Sequence, residues 1–266
     1  MDRVTSKDGT PIAFDRQGDG PAVILVGGGF VDRSENAPLA TELAERFSTY
    51  NYDRRGRGDS GDTPPYAVER EIEDIEAVIA EAGGRAHLYG PSSGGALVLE
   101  AAAAGVAADR VAVYEVPYDM AEGGPERHRA YTDQLSRLLA EGSRGDAAAL
   151  FMGIAGASGE MIEQARRSEL WPGLEAIAHT LAYDAACLGD GRPPAARLAA
   201  HHPAGAGRDG RGEPGLVRGR WRELLRPGRR RDRRGRPGAE RRVIEGQDHM
   251  ADPKVIAAVL GEFFTA

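Results

Sequence analysis

"RAHLYGPSSGGALVLEAAAAG", residues 85–105, decides how this chain reads. Its first six residues, 85–90, read as a strand. "GGALVLEAAAAG" (94–105) is the pattern of an apolar, small-residue helix lying under a sheet. Between them stands Gly90-Pro91-Ser92-Ser93-Gly94, a G-x-S-x-G pentapeptide in the strand–turn–helix context that a nucleophile elbow requires. A turn that tight leaves room only for small residues beside Ser92. It pushes the hydroxyl out at the carboxyl edge of the sheet and sets the N–H groups and dipole of the helix behind a developing oxyanion. A chemically inert Gly/Ser turn has the same five letters, so the neighbouring segments must choose between the two.

"PAVILVGG" (21–28), "STYNYD" (48–53) and "RVAVYEV" (110–116) read as further strands. A helix is expected over 69–84, where Ile72, Ile75, Val78, Ile79 and Ala82 recur at helical spacing before Gly83-Gly84. This alternation predicts an α/β fold with a mostly parallel, doubly wound sheet. The segments 2–6 and 11–16 flank "KDGT", whose Asp-Gly is a hairpin signal, so the sheet opens with an antiparallel edge. Residues 119–190 lose the alternation and read as several helices inserted into the α/β frame. "RRVIEG" (241–246) reads as the last strand and "DPKVIAAVLGEFF" (252–264) as the last helix, with Asp252 as N-cap and Pro253 at its first position.

Composition bounds the function. The chain has 266 residues, 41% of them hydrophobic, enough for a substantial core. "MDRVTSKDG" has no apolar signal-peptide region, and no apolar run approaches the roughly 20 residues that span a bilayer. The single cysteine, Cys187, excludes an internal disulfide and reads as a buried, inert thiol. A cytoplasmic protein without a membrane partner is the expectation.

The set formed by "LVGGGF" (25–30), "NYDRRGRGDS" (51–60), the Ser92 elbow and "GQDH" (246–249), each after a strand and in this order, resembles the α/β-hydrolase fold family. The resemblance implies a core from residues 1–118 and 237–266 and a helical cap from 119–190. It makes Ser92 the nucleophile and His249 the general base, with an oxyanion hole from the Ser93 and Gly29 N–H groups. Where the family usually has His-Gly-x, this chain has Gly27-Gly28-Gly29, a change expected to loosen that loop. The turn of Asp53, Arg54, Arg55, Gly56, Gly58 and Ser60 is expected to be structural, tying neighbouring loops. The acid has two candidates: Glu115, ending an apolar strand at the active-site edge, and Glu213, in "GRGEP" (210–214), which mimics the family's G-x-x-D-P pattern. Glu115 is favoured; Asp248, next to the histidine in sequence, reads as a loop or cap residue. Of the other histidines, His87 lies inside a strand and reads as core, His128 and His179 belong to the cap, and His201 and His202 lie in an Arg-rich block over 191–236. The implied activity is acyl transfer from a small ester or related carbonyl compound to serine, followed by hydrolysis, with no metal or cofactor. A serine at the elbow argues against the aspartate-nucleophile chemistries of the fold. A catalytically impaired or non-catalytic relative is the alternative, and the sequence leaves oligomeric state open.

Residues 191–236 do not fit this frame. Residues 192–236 contain 14 Arg but no Lys, Ile or Phe, and no strand or helix is expected in them. The formal charge of the whole chain is −7, yet residues 192–242 alone carry +11. A nucleic-acid arm is one reading of such a block, but basic arms normally mix Lys with Arg and often carry aromatics. Arg, Gly, Pro and Ala are what GC-rich codons spell in a wrong frame. Shifting "HHPAGAGRDGRGEP" (201–214) by one base permits "TIRPVLV…GGASP", a buried strand and turn of the kind the family has there. The segment is therefore read as a frameshifted translation, and a nucleic-acid partner is not expected.

Overall fold

The computed structural model describes residues 1–200, 223–231 and 237–265. The chain opens with β1 (Asp2–Thr5) and β2 (Pro11–Gln17), an antiparallel pair turned at Asp8-Gly9, where Gly9 takes a φ of 89°. Next come β3 (Ala22–Val26), α1 (Ala37–Leu43), β4 (Ser48–Tyr52), α2 (Val68–Glu81), β5 (Ala86–Pro91), α3 (Ser92–Ala104) and β6 (Ala108–Tyr114). Helices α4 (Gly124–Ala140), α5 (Arg144–Ile154), α6 (Gly159–Arg166), α7 (Trp171–Ile177), α8 (Leu181–Cys187) and α9 (Ala195–Ala200) follow, then β7 (Glu223–Arg231), β8 (Pro237–Val243) and α10 (Pro253–Thr265). The strands form one sheet in the order β1-β2-β4-β3-β5-β6-β7-β8.

Strands β3, β4, β5 and β6 pair in parallel, as the strand–helix alternation predicts. Along β3, Val23 and Leu25 enter one apolar cluster with α1 and α10, while Ile24 and Val26 enter another with α2 and α3. That alternation places helices on both faces of the sheet. The inserted helices have a core of their own, built on Leu135, Ala147, Ala148, Trp171, Ala178, Leu181 and Ala185. Phe30 joins it from the loop after β3.

Two sequence expectations are corrected. The Arg-rich segment was expected to hold neither helix nor strand, yet it contributes α9 and β7. Strand β7 pairs antiparallel with β6, Leu225 opposite Val113 and Leu224 opposite Tyr114, and forms an antiparallel ladder with β8. The reason is that a ladder is made by backbone N–H and C=O groups, which arginine supplies as well as valine does; Leu224-Leu225 is the one apolar pair in β7, and it falls at the register with β6. Strand β8 also begins and ends earlier than "RRVIEG" suggested. Two reversals restore direction, so β8 runs the same way as β6. The segments after β3, β4, β5, β6 and β8 therefore all emerge at one edge of the sheet.

Candidate active site

Ser92 sits where β5 passes directly into α3, with a φ of 51°. A non-glycine residue in the left-handed region is strained, and the surroundings must hold it there. They do so through glycines. A β-carbon on Gly90 would lie 2.5 Å from the Gly94 carbonyl carbon and oxygen, and one on Gly95 would lie 2.6 Å from Val116 Cγ2 and 2.7 Å from the Gly90 oxygen. One on Gly94 would collide with the carbonyl oxygens of Val26 and Gly27. The elbow thus packs backbone on backbone against the end of β3. Ser92 is half-buried, and among the described residues its hydroxyl makes no hydrogen bond.

The two expected oxyanion donors lie close together: a β-carbon on Gly29 would lie 3.2 Å from Ser93 Oγ. The Ser93 N–H lies in the first turn of α3, and the Gly29 N–H follows β3; neither is engaged by another described residue. Strain is shared along this edge, since Phe30 (φ 63°) and Glu115 (φ 48°) are also left-handed.

Glu115 follows β6, and its Oε2 lies 2.8 Å from His249 Nδ1. Its side chain is 12% exposed and that of His249 is 56%, so the carboxylate is largely buried beneath an exposed imidazole. His249 is carried by the segment between β8 and α10. Tyr114 O–H donates to the Asp248 carbonyl at 2.7 Å, pinning that segment to β6. Asp248 Oδ1 accepts from Met250 N at 3.0 Å, a local turn contact. The structure thus brings Glu115 and His249 together and puts Ser92 at the same edge, without a hydrogen bond between Ser92 and His249. Glu213 lies outside the described residues, as do His201 and His202. His87 is buried in β5, and His179 lies 3.3 Å from Asp62.

The expected loosening of the glycine loop is not what the structure has. Arg57 Nη1 donates to the Gly28 carbonyl at 2.6 Å, and Arg54 Nη1 reaches the Gly27 and Gly28 carbonyls at 3.4 Å. Both arginines come from the turn after β4 and are buried. Two guanidinium groups thereby fix the carbonyls of the Gly27-Gly28-Gly29 loop. They are themselves held by Asp184 of α8, whose Oδ1 accepts from Arg54 and Arg57 at 2.7 Å and from Ser93 Oγ at 2.8 Å, while Oδ2 accepts from Phe30 N at 3.3 Å. Burial alone would raise the Asp184 pKa; Arg57 and Arg54 outweigh it and hold the carboxylate below its usual range. Arg54 also makes a bidentate pair with Glu71 at 2.7 and 2.8 Å, and Arg55 one with Asp74 at 2.8 and 2.7 Å. Beside this network burial pushes the Cys187 thiol up to about 12, leaving it protonated. The sequence reading assigned the arginine turn a structural part but missed Asp184. Nothing in the spacing of the helical insertion singles out that one carboxylate; only the need of two buried arginines for a partner could have asked for it.

A second carboxylate was also missed. Glu35, in the turn before α1, accepts from Gly28 N at 3.3 Å through Oε2, beside Ser92. Among the described residues no His, Cys, Asp and Glu group is arranged to hold a metal ion, and no helix is long and apolar enough to cross a membrane.

Comparison with known proteins bears on this geometry. The sequence profile of the alpha/beta hydrolase family matches residues 22–259. A crystal structure of an alpha/beta hydrolase from Sphaerobacter thermophilus DSM 20745 is 52% identical, covering 74% of this chain and 77% of that one, with a TM-score of 0.67. The chain belongs to the alpha/beta hydrolase family. This hydrolase-family chain is also similar to the bottromycin epimerase BotH, at 28% identity, 72% and 74% coverage and a TM-score of 0.51. Over 96 residues it is 31% identical to the uncharacterized hydrolase YraK of Bacillus subtilis (strain 168), a match spanning 35% of either protein.

Proposed function

We propose that this chain is a serine hydrolase of small esters or related carbonyl compounds, acting through an acyl-enzyme. The observation that carries the reading is the convergence at one sheet edge of a strained Ser92, the open N–H groups of Gly29 and Ser93, and the 2.8 Å His249–Glu115 pair. Ser92 Oγ attacks the carbonyl carbon while its proton passes to His249 Nε2. Glu115 holds the Nδ1 proton, fixing the tautomer and stabilising the imidazolium. The carbonyl oxygen becomes an oxyanion between the Gly29 and Ser93 N–H groups. Collapse expels the alcohol, which takes its proton from His249, and a water activated by the same imidazole hydrolyses the acyl-Ser92 ester. The serine–histidine hydrogen bond forms on closing around substrate, as active sites without substrate are often looser. The helices between β6 and β7 act as a cap, which suits a small, partly apolar substrate.

Family membership alone does not fix this chemistry, as the likeness to an epimerase illustrates. The test is covalent. A fluorophosphonate probe should label the wild type at Ser92, and Ser92→Ala should lose both labelling and hydrolysis of short p-nitrophenyl esters. Labelling of Ser92→Ala at the wild-type level would overturn the assignment.

A further inference from the structure

The loop after β3 carries a carboxylate that the proposed mechanism does not use. Glu35 is fixed by a turn in which its own N–H donates to the Asp32 carbonyl and the Ser34 N–H to Asp32 Oδ1. Its residue surface is exposed, but Oε2 turns back to the N–H of buried Gly28, one residue from the proposed oxyanion donor. A β-carbon on Gly28 would lie 3.4 Å from Glu35 Oε2 and 3.6 Å from Ser92 Cβ, which bounds the carboxylate within about 7 Å of the serine.

We propose that Glu35 is a specificity-determining residue of this site, selecting substrates with a cationic or neutral group near the reacting carbonyl over those with a carboxylate there. The inference rests on Ser92 being the reacting group. A charge on a substrate bound at Ser92 falls within several ångströms of Glu35, where two unit charges still interact appreciably. At 7 Å the factor is about 3 under bulk-water screening and about 50 under the screening typical of a protein surface. About ten-fold lies between them.

The groups facing Glu35 set when it carries its charge. Burial of the carboxyl raises its pKa; the Gly28 N–H, His249 and Arg57 pull it down, and Asp184 pushes it up again. Tyr89 of β5 is within electrostatic reach as well. A raised carboxylate pKa means that discrimination against anions weakens in acid and reaches full size once Glu35 has ionised.

The experiment compares three esters of matched shape: p-nitrophenyl butyrate, the β-alanine ester and the succinate monoester, whose acyl chains end in methyl, ammonium and carboxylate. The wild type should rank them in kcat/KM as cationic, neutral, anionic, with the anionic ester about ten-fold below the neutral one at neutral pH. Glu35→Gln, which keeps an oxygen for the Gly28 N–H and removes the charge, should erase most of that gap and its pH dependence. The corresponding amides (butyramide, β-alaninamide and succinamate) are titrated in parallel while the His249 imidazole is followed by NMR, a readout that needs no turnover. An anion-to-neutral ratio unchanged by Glu35→Gln in both assays overturns the role of Glu35. Charge-dependent amide binding that Glu35→Gln abolishes, in a protein whose Ser92 resists fluorophosphonate, supports Glu35 and overturns the hydrolase reading instead.

Discussion

The serine end and the histidine end of this site are built on different principles. Around Ser92 the positions are over-determined. Three glycines each exclude a β-carbon, a strained backbone is clamped by its neighbours, and a buried charge network anchors the adjacent loop. Around His249 the support is sparse and local. The exposed imidazole reaches one carboxylate, and its segment is pinned by one tyrosine hydroxyl and by burial of Ile244 and the apolar face of α10. The difference teaches that an elbow is specified by steric exclusion within a short stretch of sequence, whereas the proposed base is delivered from a distance by whatever brings β8 back to the sheet.

If the serine end depends on its buried charges, removing one should have the largest effect. Arg54→Met leaves Glu71 and Asp184 short of a partner in a buried site, which is expected to cost about 3–5 kcal/mol. For a chain of this size that lowers Tm by on the order of 10 °C. Turnover should fall further than folding alone explains, because the Gly27 and Gly28 carbonyls lose a donor. A melt within about 2 °C of wild type would show the network to be incidental.

Next in size is the steric claim. Gly94→Ala places a methyl group against the Val26 and Gly27 carbonyls, and the backbone on one side must move. Overpacking of this kind costs about 1–3 kcal/mol, and a displacement of about 1 Å at the proposed nucleophile is worth on the order of 10²-fold in rate. Steady-state ester hydrolysis and a thermal melt measure the two parts separately. Wild-type turnover in Gly94→Ala would mean that the elbow has slack.

These two variants also mark what a sequence can disclose. G-x-S-x-G, the strand before it and the helix after it are local, so the elbow is legible in five residues and their flanks. Glu115 was within reach because a charge ending an apolar strand needs a partner. Asp184 and Glu35 were not, because each acts on the site from a segment whose own pattern says only helix or turn. Helix α1 also escaped notice, being short and lacking a side-chain cap. The antiparallel β7 was missed for the opposite reason: its composition argued against a strand, but pairing is a property of the backbone.

The histidine end can be sharpened through the segment that precedes it. If residues 192–236 are a frameshifted translation, restoring the frame should supply apolar strand residues next to β6 and steady the delivery of His249. The expected gain is moderate, about 1–2 kcal/mol or a few degrees in Tm, with faster ester hydrolysis. Expressing both versions and comparing melts and rates decides it. Equal values would make the arginine-rich segment a genuine part of this protein.

The smallest effect concerns the seam between the two ends. His87 lies in β5, three residues before the start of the elbow, and its ring stacks on Phe264 of α10 with centroids 4.6 Å apart and planes 6° from parallel. Phe47 meets the same ring edge-on at 6.3 Å. Burial lowers the His87 pKa below its ordinary 6.5, with Asp109 opposing and Arg110 assisting. The unfolded chain therefore takes up a proton that the folded one resists. Stability is complete above pH 6.5 and declines as pH falls from there toward the lowered value, by about 1.4 kcal/mol per pH unit while the states differ by one full proton. His87→Leu should flatten that part of the stability curve, and following unfolding by urea between pH 7 and pH 5 measures it. The packed ring is lost in the variant, so its stability at pH 7 is expected to fall slightly; only the slope tests the charge. A slope identical to wild type would mean that His87 is not the group through which acid loosens the seam.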